Sequence, residues 1–312
     1  MTYAVLAIVL GLVLLIGGGE LLVSHAVKLA AKARVAPLFI GLVLVGFGTS
    51  APELVASIEA VRAGAPAIAW GNIVGSNIAN TLLVLGGASL VAPIRVAAAG
   101  RMRDPVVGLF AALLLCGVAV AGLSGLALGL ALVALLLVYI AYCFKAERTP
   151  PPHDSAVPDM VPQGWFRPLA GAAAGLALLI FGGRILVDGA TDLARLAGMS
   201  ETLIGLTIVA VGTSLPELVA SLAAARKGES EVALGSVTGS NLYNILFIGG
   251  TTMALSGEPV PVELWPFDLV VMAASAAVLT MLVYWKKGLP RWCAAMFLLA
   301  YAGFLAMLAA GG

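Results

Sequence analysis

The sequence predicts an all-α polytopic membrane protein with ten transmembrane helices, arranged as two inverted five-helix repeats. The first observation is composition: of 312 residues, 61% are hydrophobic and 11% are charged, whereas soluble domains carry about 45–50% apolar and about 25% charged residues. The second is that the apolar residues fall in runs of about 20, the length that crosses a bilayer. The third is that the second half of the chain repeats a long segment of the first.

The same composition excludes other classes of protein. A soluble fold must expose much of its surface to water, so a soluble enzyme, a nucleic-acid-binding protein and a disordered chain are excluded. The net charge of +1 provides no basic surface for a polyanion, so no nucleic-acid partner is expected. Cys116, Cys143 and Cys293 are odd in number and lie in apolar runs, which disfavours disulfides and a cysteine metal site.

Ten apolar runs of spanning length follow one another along the chain. They cover 3–27, 36–61, 66–92, 105–122, 124–144, 168–194, 201–225, 231–254, 264–285 and 292–310. The boundary at Gly122 and Ser124 is weak, so nine spans are the alternative. The one sizeable polar segment contains five prolines and predicts a linker rather than a domain. The expected units are a first five-helix membrane repeat at 1–145, a linker at 146–167 and a second, inverted repeat at 168–312.

The distribution of Lys and Arg predicts the orientation. With the N-terminus outside, fourteen of the 17 basic residues fall in cytoplasmic loops. Arg62 and Arg195 fall outside, and Arg184 lies within a span. This is a strong positive-inside bias, and it supports ten spans because the loss of one helix would invert the second half. Both termini are therefore predicted outside a plasma (inner) membrane, and the linker is predicted to be cytoplasmic.

The repeat is exact enough to align without a gap. Segment 41–87 matches 205–251 at an offset of 164, with identical residues at 23 of 47 positions. The best-matching motifs are GTSAPELVAS (48–57) with GTSLPELVAS (212–221), and GSNIAN (75–80) with GSNLYN (239–244). Because each half holds an odd number of helices, the second copy enters the membrane upside down. Inverted repeats with a site at the midplane are the architecture of secondary transporters.

Each repeat places a proline and a glutamate in the middle of a span. Pro52 and Pro216 have no N–H, so each removes one helical hydrogen bond. A broken helix at membrane depth is tolerated only where it lines a polar cavity or is buried in protein. Oxygen-bearing side chains surround both breaks, and they are Thr49, Ser50 and Glu53 in the first half and Thr213, Ser214 and Glu217 in the second.

The next helix of each half adds further oxygens at positions four residues apart, which share one helix face. These are Ser76 and Asn80 in the first half and Ser240 and Asn244 in the second. Gly75 and Gly239 are expected to permit close helix contact, as small residues do in membranes. Two-fold pseudosymmetry would bring both sets to the centre and form an all-oxygen shell, which suits hard cations such as Ca²⁺ or Na⁺.

The two glutamates need a positive partner, because a carboxylate at the midplane of a membrane is costly. No Lys or Arg lies near Glu53 or Glu217 in either motif span, so a bound cation or a proton must neutralise them. Two negative charges match one Ca²⁺, two Na⁺ or two H⁺, which suggests that these ions compete for one site. Competition of this kind is how an antiporter couples its substrates.

The paired GTSxPEL and GSNxxN motifs resemble the α-repeats of the sodium/calcium exchanger, or cation/calcium antiporter, family. The resemblance implies that Glu53 and Glu217 are the central cation ligands. It implies further ligands from Thr49, Ser50, Thr213, Ser214, Ser76, Ser240, Asn80 and Asn244, and from the backbone carbonyls of Gly46 and Ala210. It also implies that the first helix of each half slides against the core to alternate access, which Gly17–Gly19 and Gly182–Gly183 would suit.

Two features depart from the family pattern. Characterised sodium/calcium exchangers commonly carry Asp at one of the two final GSNxxN positions, whereas Asn80 and Asn244 are both neutral. The site then has two fixed charges, which leaves the stoichiometry and the choice of Na⁺ or H⁺ as the driving ion open. The linker is also too short for the Ca²⁺-sensing domains of animal relatives.

Three charges in the first helices of the two halves are not explained by these motifs. Glu20 occupies in the first half the position that Arg184 occupies in the second. This correspondence suggests a charge pair or a water-facing groove, and Asp188 lies one turn after Arg184.

The expected function is secondary antiport of Ca²⁺ against Na⁺ by alternating access, and not an enzymatic reaction. The alternatives are an H⁺-coupled cation antiporter on the same fold, a passive cation channel, and a membrane enzyme that uses the two glutamates as an acid pair. A channel filter is usually a ring from several subunits, whereas this site is built within one chain. The expected partners are inorganic cations and the lipid bilayer, with no cofactor and no obligatory protein partner, so a monomer is expected.

Overall fold

The computed structural model describes residues 2–95, 102–146, 164–198 and 210–311. These residues are almost entirely helical. The elements of the first half are α1 (Thr2–Ala33), α2 (Pro37–Ile40), a π-helical segment (Gly41–Gly46), α3 (Phe47–Thr49), α4 (Ala51–Arg62), α5 (Pro66–Ala79), a π-helical segment (Asn80–Val84), α6 (Leu85–Val91), β1 (Ile94–Arg95), α7 (Arg103–Val120) and α8 (Leu126–Ala146).

The second half repeats this order. Its described elements are α9 (Phe166–Leu196), α10 (Ala210–Thr213), α11 (Leu215–Arg226), α12 (Ser230–Leu242), a π-helical segment (Tyr243–Ile248), α13 (Gly249–Ser256), a 3₁₀ turn (Val262–Leu264), α14 (Phe267–Lys286), β2 (Gly288–Leu289) and α15 (Arg291–Gly311). Each element of α3–α6 therefore has a counterpart in α10–α13, so the sequence repeat is also a structural repeat.

Most of the predicted spans are present as helices. Among the described residues, eight helices are long and apolar enough to cross a membrane, and the pair Pro37–Thr49 and Ala51–Arg62, which is bent by 42°, makes a ninth if it is one span. The chain turns between α7 and α8 with positive φ at Gly122 (61°) and Gly125 (104°), so merging 105–122 and 124–144 into one span is wrong. The predicted span 201–225 begins outside the described residues, and a count of ten stays a prediction.

The first helix of each half is longer than predicted. α1 has 32 residues and α9 has 31, although about 20 cross a bilayer. The two helices pack against each other backbone to backbone: a Cβ added to Gly18 would lie 2.8 Å from the carbonyl oxygen of Gly175. A Cβ on Gly182 would lie 2.8 Å from the Leu14 Cβ. No described atom lies within 4 Å of a Cβ built at Gly17.

The core consists of the two helical runs that follow the bent helices. In the most apolar 18 residues of Pro66–Val91, 78% of the stretch is buried, and in those of Ser230–Ser256, 89% is buried. The corresponding value for α1 is 28%. These are the runs on which the sequence places Ser76, Asn80 and their counterparts, so their polar oxygens lie inside the protein and not toward lipid.

The connecting segments group into two sets, as the charge distribution predicts. Ile94 pairs with Leu289 and Arg95 with Gly288 in the short antiparallel sheet, and both segments are predicted to be cytoplasmic. Segments predicted to be outside line a common cavity of about 630 Å³, to which Gly64, Gly122 and Glu258 contribute. The grouping agrees with the predicted topology, while the orientation of the termini and the cytoplasmic linker remain predictions.

Candidate functional site

Both motif helices bend at the same position of the repeat. Ser50 has φ −81° and ψ 3°, and Ser214 has φ −88° and ψ 5°. Pro52 and Pro216 lie in the first turn after the bend, where a missing N–H costs nothing. Each glutamate is in the first turn of the following helix, α4 or α11. The predicted break is thus present in both halves, and each glutamate lies at the positive end of a helix dipole.

The two glutamates are buried next to each other at the interface of the halves. Glu53 is 2% exposed and Glu217 is 1% exposed. The Ser50 hydroxyl of the first half donates a hydrogen bond to Glu217 Oε1 of the second over 3.4 Å. The pseudosymmetry therefore joins the two motifs at one centre.

A second contact between the halves involves the predicted backbone ligand Gly46. The Ser240 hydroxyl donates to the Gly46 carbonyl over 3.2 Å and lies 3.5 Å from the Thr49 hydroxyl. Gly239 makes this crossing possible, because a Cβ there would lie 2.8 Å from the Leu42 Cα. The predicted role of Gly239 in close contact is confirmed.

For Gly75, the counterpart of Gly239, the same role stays a prediction. No described atom lies within 4 Å of a Cβ built at Gly75, but the counterpart of Leu42 is Leu206, which lies outside the described residues.

Several buried oxygens around the glutamates have no hydrogen-bond partner among the described residues. They are Glu53 Oε2, Glu217 Oε2, Asn80 Oδ1, Asn244 Oδ1 and Ser214 Oγ. Burying a polar oxygen without a partner is costly. Within the described ranges, neither glutamate forms an ion pair with Lys, Arg or His. These atoms form a negatively charged, oxygen-only set that a hard cation could bind.

The asparagine-bearing segments cross over between the halves. The π-helical segment that starts at Asn80 packs against α11 of the second half, and the segment that contains Asn244 packs against α4 of the first. Ser76 is 5% exposed and lies on α5, which packs against α4. The predicted ligands of the first half, and most of their counterparts in the second half, thus lie around the two glutamates.

Two predicted ligands lie at the margin of the described residues. Thr213 is half-buried, and Ala210 is the first residue of α10. Whether the Ala210 carbonyl takes the position that Gly46 takes in the first half remains a prediction.

Sequence reasoning missed Asn72, which supports the glutamate helix. Its side-chain amide donates to the Glu53 carbonyl over 3.3 Å and to the Ser57 hydroxyl over 3.2 Å. Asn241 was also missed, and it donates to Thr81 of the other half over 3.0 Å. Both are polar residues inside apolar runs, and that is the signal that could have found them. The π-helical segments, which are frequent at functional sites, have no such signal.

The suggested charge pair between Glu20 and Arg184 is wrong. The Glu20 carboxylate lies 4.0 Å from the Arg226 guanidinium, because α1 packs along α11 and brings Glu20 to the end of that helix. Arg184 is exposed on α9.

The family model of the sodium/calcium exchanger protein matches residues 3–145 and 168–310. These two matches cover both halves and most of the chain.

This chain belongs to the sodium/calcium exchanger family.

Full-length relatives agree with this assignment. CaxA of Alkalimonas amylolytica is 38% identical over 291 residues, which are 90% of each chain. The sodium/calcium exchanger MaX1 of Methanosarcina acetivorans is 33% identical over 349 aligned residues, covering 97% of each chain. A solved structure of the sodium-calcium exchanger NCX_Mj superposes with a TM-score of 0.85 at 31% identity, covering 98% of this chain and 99% of that one.

Membership of the sodium/calcium exchanger family establishes the general activity. The chain is a multi-pass membrane antiporter for inorganic cations that include Ca²⁺. Antiport moves ions without changing a covalent bond, so the family is a family of transporters and not of enzymes.

Proposed function

We propose that this exchanger moves Ca²⁺ against Na⁺, and that Glu53 and Glu217 hold either ion in turn between the two halves. One observation carries the proposal: two adjacent carboxylates are buried at the centre, with unpartnered oxygens and, among the described residues, no cationic side chain to pair with them. A cation that fills this set neutralises the carboxylates and satisfies the oxygens together.

The proposed ligands are all oxygen atoms. They come from the side chains of Glu53, Glu217, Thr49, Thr213, Ser50, Ser214, Ser76, Ser240, Asn80 and Asn244, and from the carbonyls of Gly46 and Ala210. Carboxylate, hydroxyl, amide and carbonyl oxygens suit Ca²⁺ and Na⁺, whereas metals that prefer thiolate or imidazole are disfavoured.

The charge of the site argues for electroneutral exchange. Glu53 and Glu217 supply two negative charges, and the amides of Asn80 and Asn244 supply none. One Ca²⁺ or two Na⁺ balance two charges, and a third Na⁺ would leave an uncompensated charge in a buried site. We therefore propose that two Na⁺ exchange for one Ca²⁺.

H⁺ is the second candidate for the driving ion, because the same two carboxyl groups could each carry a proton. The observation that favours it is the absence of an aspartate from both final GSNxxN positions, where Asn80 and Asn244 stand. Na⁺ and H⁺ would then use the same residues, and only a transport measurement separates them.

The test is Ca²⁺ uptake by the purified protein in liposomes. One set of vesicles contains Na⁺ and faces a Na⁺-free medium, and a second set has an acidic interior and no Na⁺. Uptake that requires internal Na⁺, proceeds at the same rate when valinomycin and K⁺ set different membrane potentials, and disappears in Glu53→Gln is the expected result. Uptake that ignores Na⁺ and follows the proton gradient would contradict Na⁺ coupling and support H⁺ coupling.

We propose that the protein lies in the inner membrane with both termini outside. The segment 146–167 would be a cytoplasmic linker between repeats at 1–145 and 168–312. The working unit would be a monomer. The Inner membrane protein YrbG of Escherichia coli is 31% identical over 316 aligned residues, covering 99% of this chain. The contacts between Ser50 and Glu217 and between Ser240 and Gly46 are all within one chain, which supports a site that needs no second copy.

A further inference from the structure

Charged and polar contacts tie one end of α11 to α1. The Lys227 ammonium, directly after α11, donates to the Ser24 hydroxyl over 2.5 Å and to the Glu20 carbonyl over 3.2 Å. The Arg226 guanidinium lies 4.0 Å from the Glu20 carboxylate. These contacts join the first helix of one half to the glutamate helix of the other, at the end predicted to be cytoplasmic.

Beside these contacts, α1 covers a face of α11. A Cβ added to Gly19 would lie 3.0 Å from Val219 Cγ1 and 3.4 Å from the Ala223 Cβ. Ala223 is accordingly only 7% exposed. The close fit at Gly19 and the contacts of Lys227 act on the same pair of helices.

Three of the four corresponding positions in the other half carry different residues. At the offset of 164, Glu20 becomes Arg184, Ser24 becomes Asp188, Arg226 becomes Arg62 and Lys227 becomes Ala63. Arg62 instead pairs with Glu59 of its own helix over 3.1 Å. Val55, the counterpart of Val219, is 60% exposed, so α9 does not cover α4 in the way that α1 covers α11.

Alternating access in inverted-repeat transporters exchanges the environments of the two halves around a fixed site. In the exchanged arrangement, α9 would approach the end of α4 as α1 approaches the end of α11 here. Arg184 would then face Arg62, and like charges repel. Ala63 has no donor for Asp188. The side chains at these positions therefore favour the arrangement in which the α11 end is closed.

We propose that Glu20, Ser24, Arg226 and Lys227 form a one-sided latch, which holds the exchanger closed at the α11 end. The latch residues touch no proposed cation ligand in the described structure, so they act by positioning α1. The latch has this role only if the chain alternates access as proposed above. Exposed ionic contacts are weak, so removal of Lys227 is expected to shift the balance between the two arrangements by about two- to fivefold.

The test measures how often the α11 face is uncovered. Ala223→Cys is introduced into a variant in which Cys116, Cys143 and Cys293 have been replaced by Ala. The rate at which the new thiol reacts with a maleimide is then measured without ion gradients. Lys227→Ala is expected to raise this rate about two- to fivefold. Arg195→Ala is the matched control, because Arg195 loses an exposed ion pair with Asp192 (3.7 Å) that lies away from α11.

A second variant builds the latch in the other half. Arg184→Glu with Ala63→Lys places an acid opposite Arg62 and a donor opposite Asp188. This double variant is expected to raise the reaction rate of Cys at position 223 and to lower that of Cys introduced at Val55. A destabilised fold would raise both rates, so the opposite signs identify a latch.

Unchanged rates in both Lys227→Ala and the double variant would overturn the latch. The measurement does not depend on the transported ion. Absence of Ca²⁺ uptake by the parent protein, with the reaction rates still responding as expected, would overturn the proposed antiport and leave the latch standing.

Discussion

The helices α4 and α11 have identical residues at eight of twelve positions and yet have different surroundings. On α4 the buried residues are Glu53 and Ser57, whereas α11 buries most of one face. Val55 is 60% exposed, while its counterpart Val219 packs on Gly19 of α1. The two helices thus carry the same proposed ligand residues, but α1 covers α11 and α9 does not cover α4 in the same way. Under the proposals above, ion binding follows from what the halves share, and access to the site follows from where they differ.

Gly239→Ala gives the largest expected effect. A Cβ at Gly239 would lie 2.5 Å from the Leu42 carbonyl oxygen, so this substitution should force the crossing helices apart and destabilise the protein by about 1–3 kcal/mol. The repeat predicts the same close contact for Gly75, whose expected neighbour Leu206 lies outside the described residues. Thermal unfolding in detergent of Gly239→Ala and Gly75→Ala measures whether the two glycines are equivalent. A stability of Gly239→Ala within about 0.5 kcal/mol of the parent would contradict the close contact.

Asn80 and Asn244 test the part of the comparison that is symmetric. Both are 1% exposed, and aspartate at either position would add a third fixed charge beside the two glutamates. Asn80→Asp and Asn244→Asp should each raise the apparent Ca²⁺ affinity by about tenfold, which is about 1.4 kcal/mol and within the range of a close charge pair.

The same substitutions should make exchange sensitive to the membrane potential, because three charges no longer match one Ca²⁺. Uptake into liposomes at potentials set by K⁺ and valinomycin measures this effect. A response from one variant and none from the other would show that the two asparagines are not equivalent at the site.

The symmetric part of the molecule could be predicted from the sequence, and the asymmetric part could not. The repeat located the bends at Ser50 and Ser214 within two residues, because proline removes a helical hydrogen bond wherever it stands. The repeat also predicted that Glu53 and Glu217 lie at one centre, because two-fold pseudosymmetry brings equivalent residues together. Identical motifs cannot report different neighbours, so the exposure of Val55 and the contact of Val219 with Gly19 could not be predicted.

The length of α1 and the partner of Glu20 could not be predicted from the sequence for another reason. Hydropathy ends α1 near residue 27, but the helix continues to Ala33, because backbone hydrogen bonds persist after the chain becomes polar. Glu20 was compared with Arg184 because the two share a repeat position. Its partner Arg226 lies on a helix of the other half, and only tertiary packing specifies that pair.

Ser240 and Ser76 give the smallest expected difference. Ser240 donates to the Gly46 carbonyl, a proposed ligand of the cation, and Ser76 makes no hydrogen bond to the part of the chain that the structure describes. Loss of one such bond is worth about 0.5–1.5 kcal/mol. Ser240→Ala should lower the apparent Ca²⁺ affinity about threefold to tenfold, with a smaller loss for Ser76→Ala. Concentration-dependent uptake measures both, and a larger loss for Ser76→Ala would reverse the expected order.

Calcium binding to the purified protein without Na⁺, measured by calorimetry for the parent, Glu53→Gln and Glu217→Gln, tests the central claim most directly. If the two halves share one cation, each substitution removes one of the two charges that hold it. Breaking a buried ionic contact costs about 3–5 kcal/mol, so both variants should lose at least about 100-fold in affinity, despite the different cover over α4 and α11. Parent-like binding by either variant would contradict a single site built equally from both repeats.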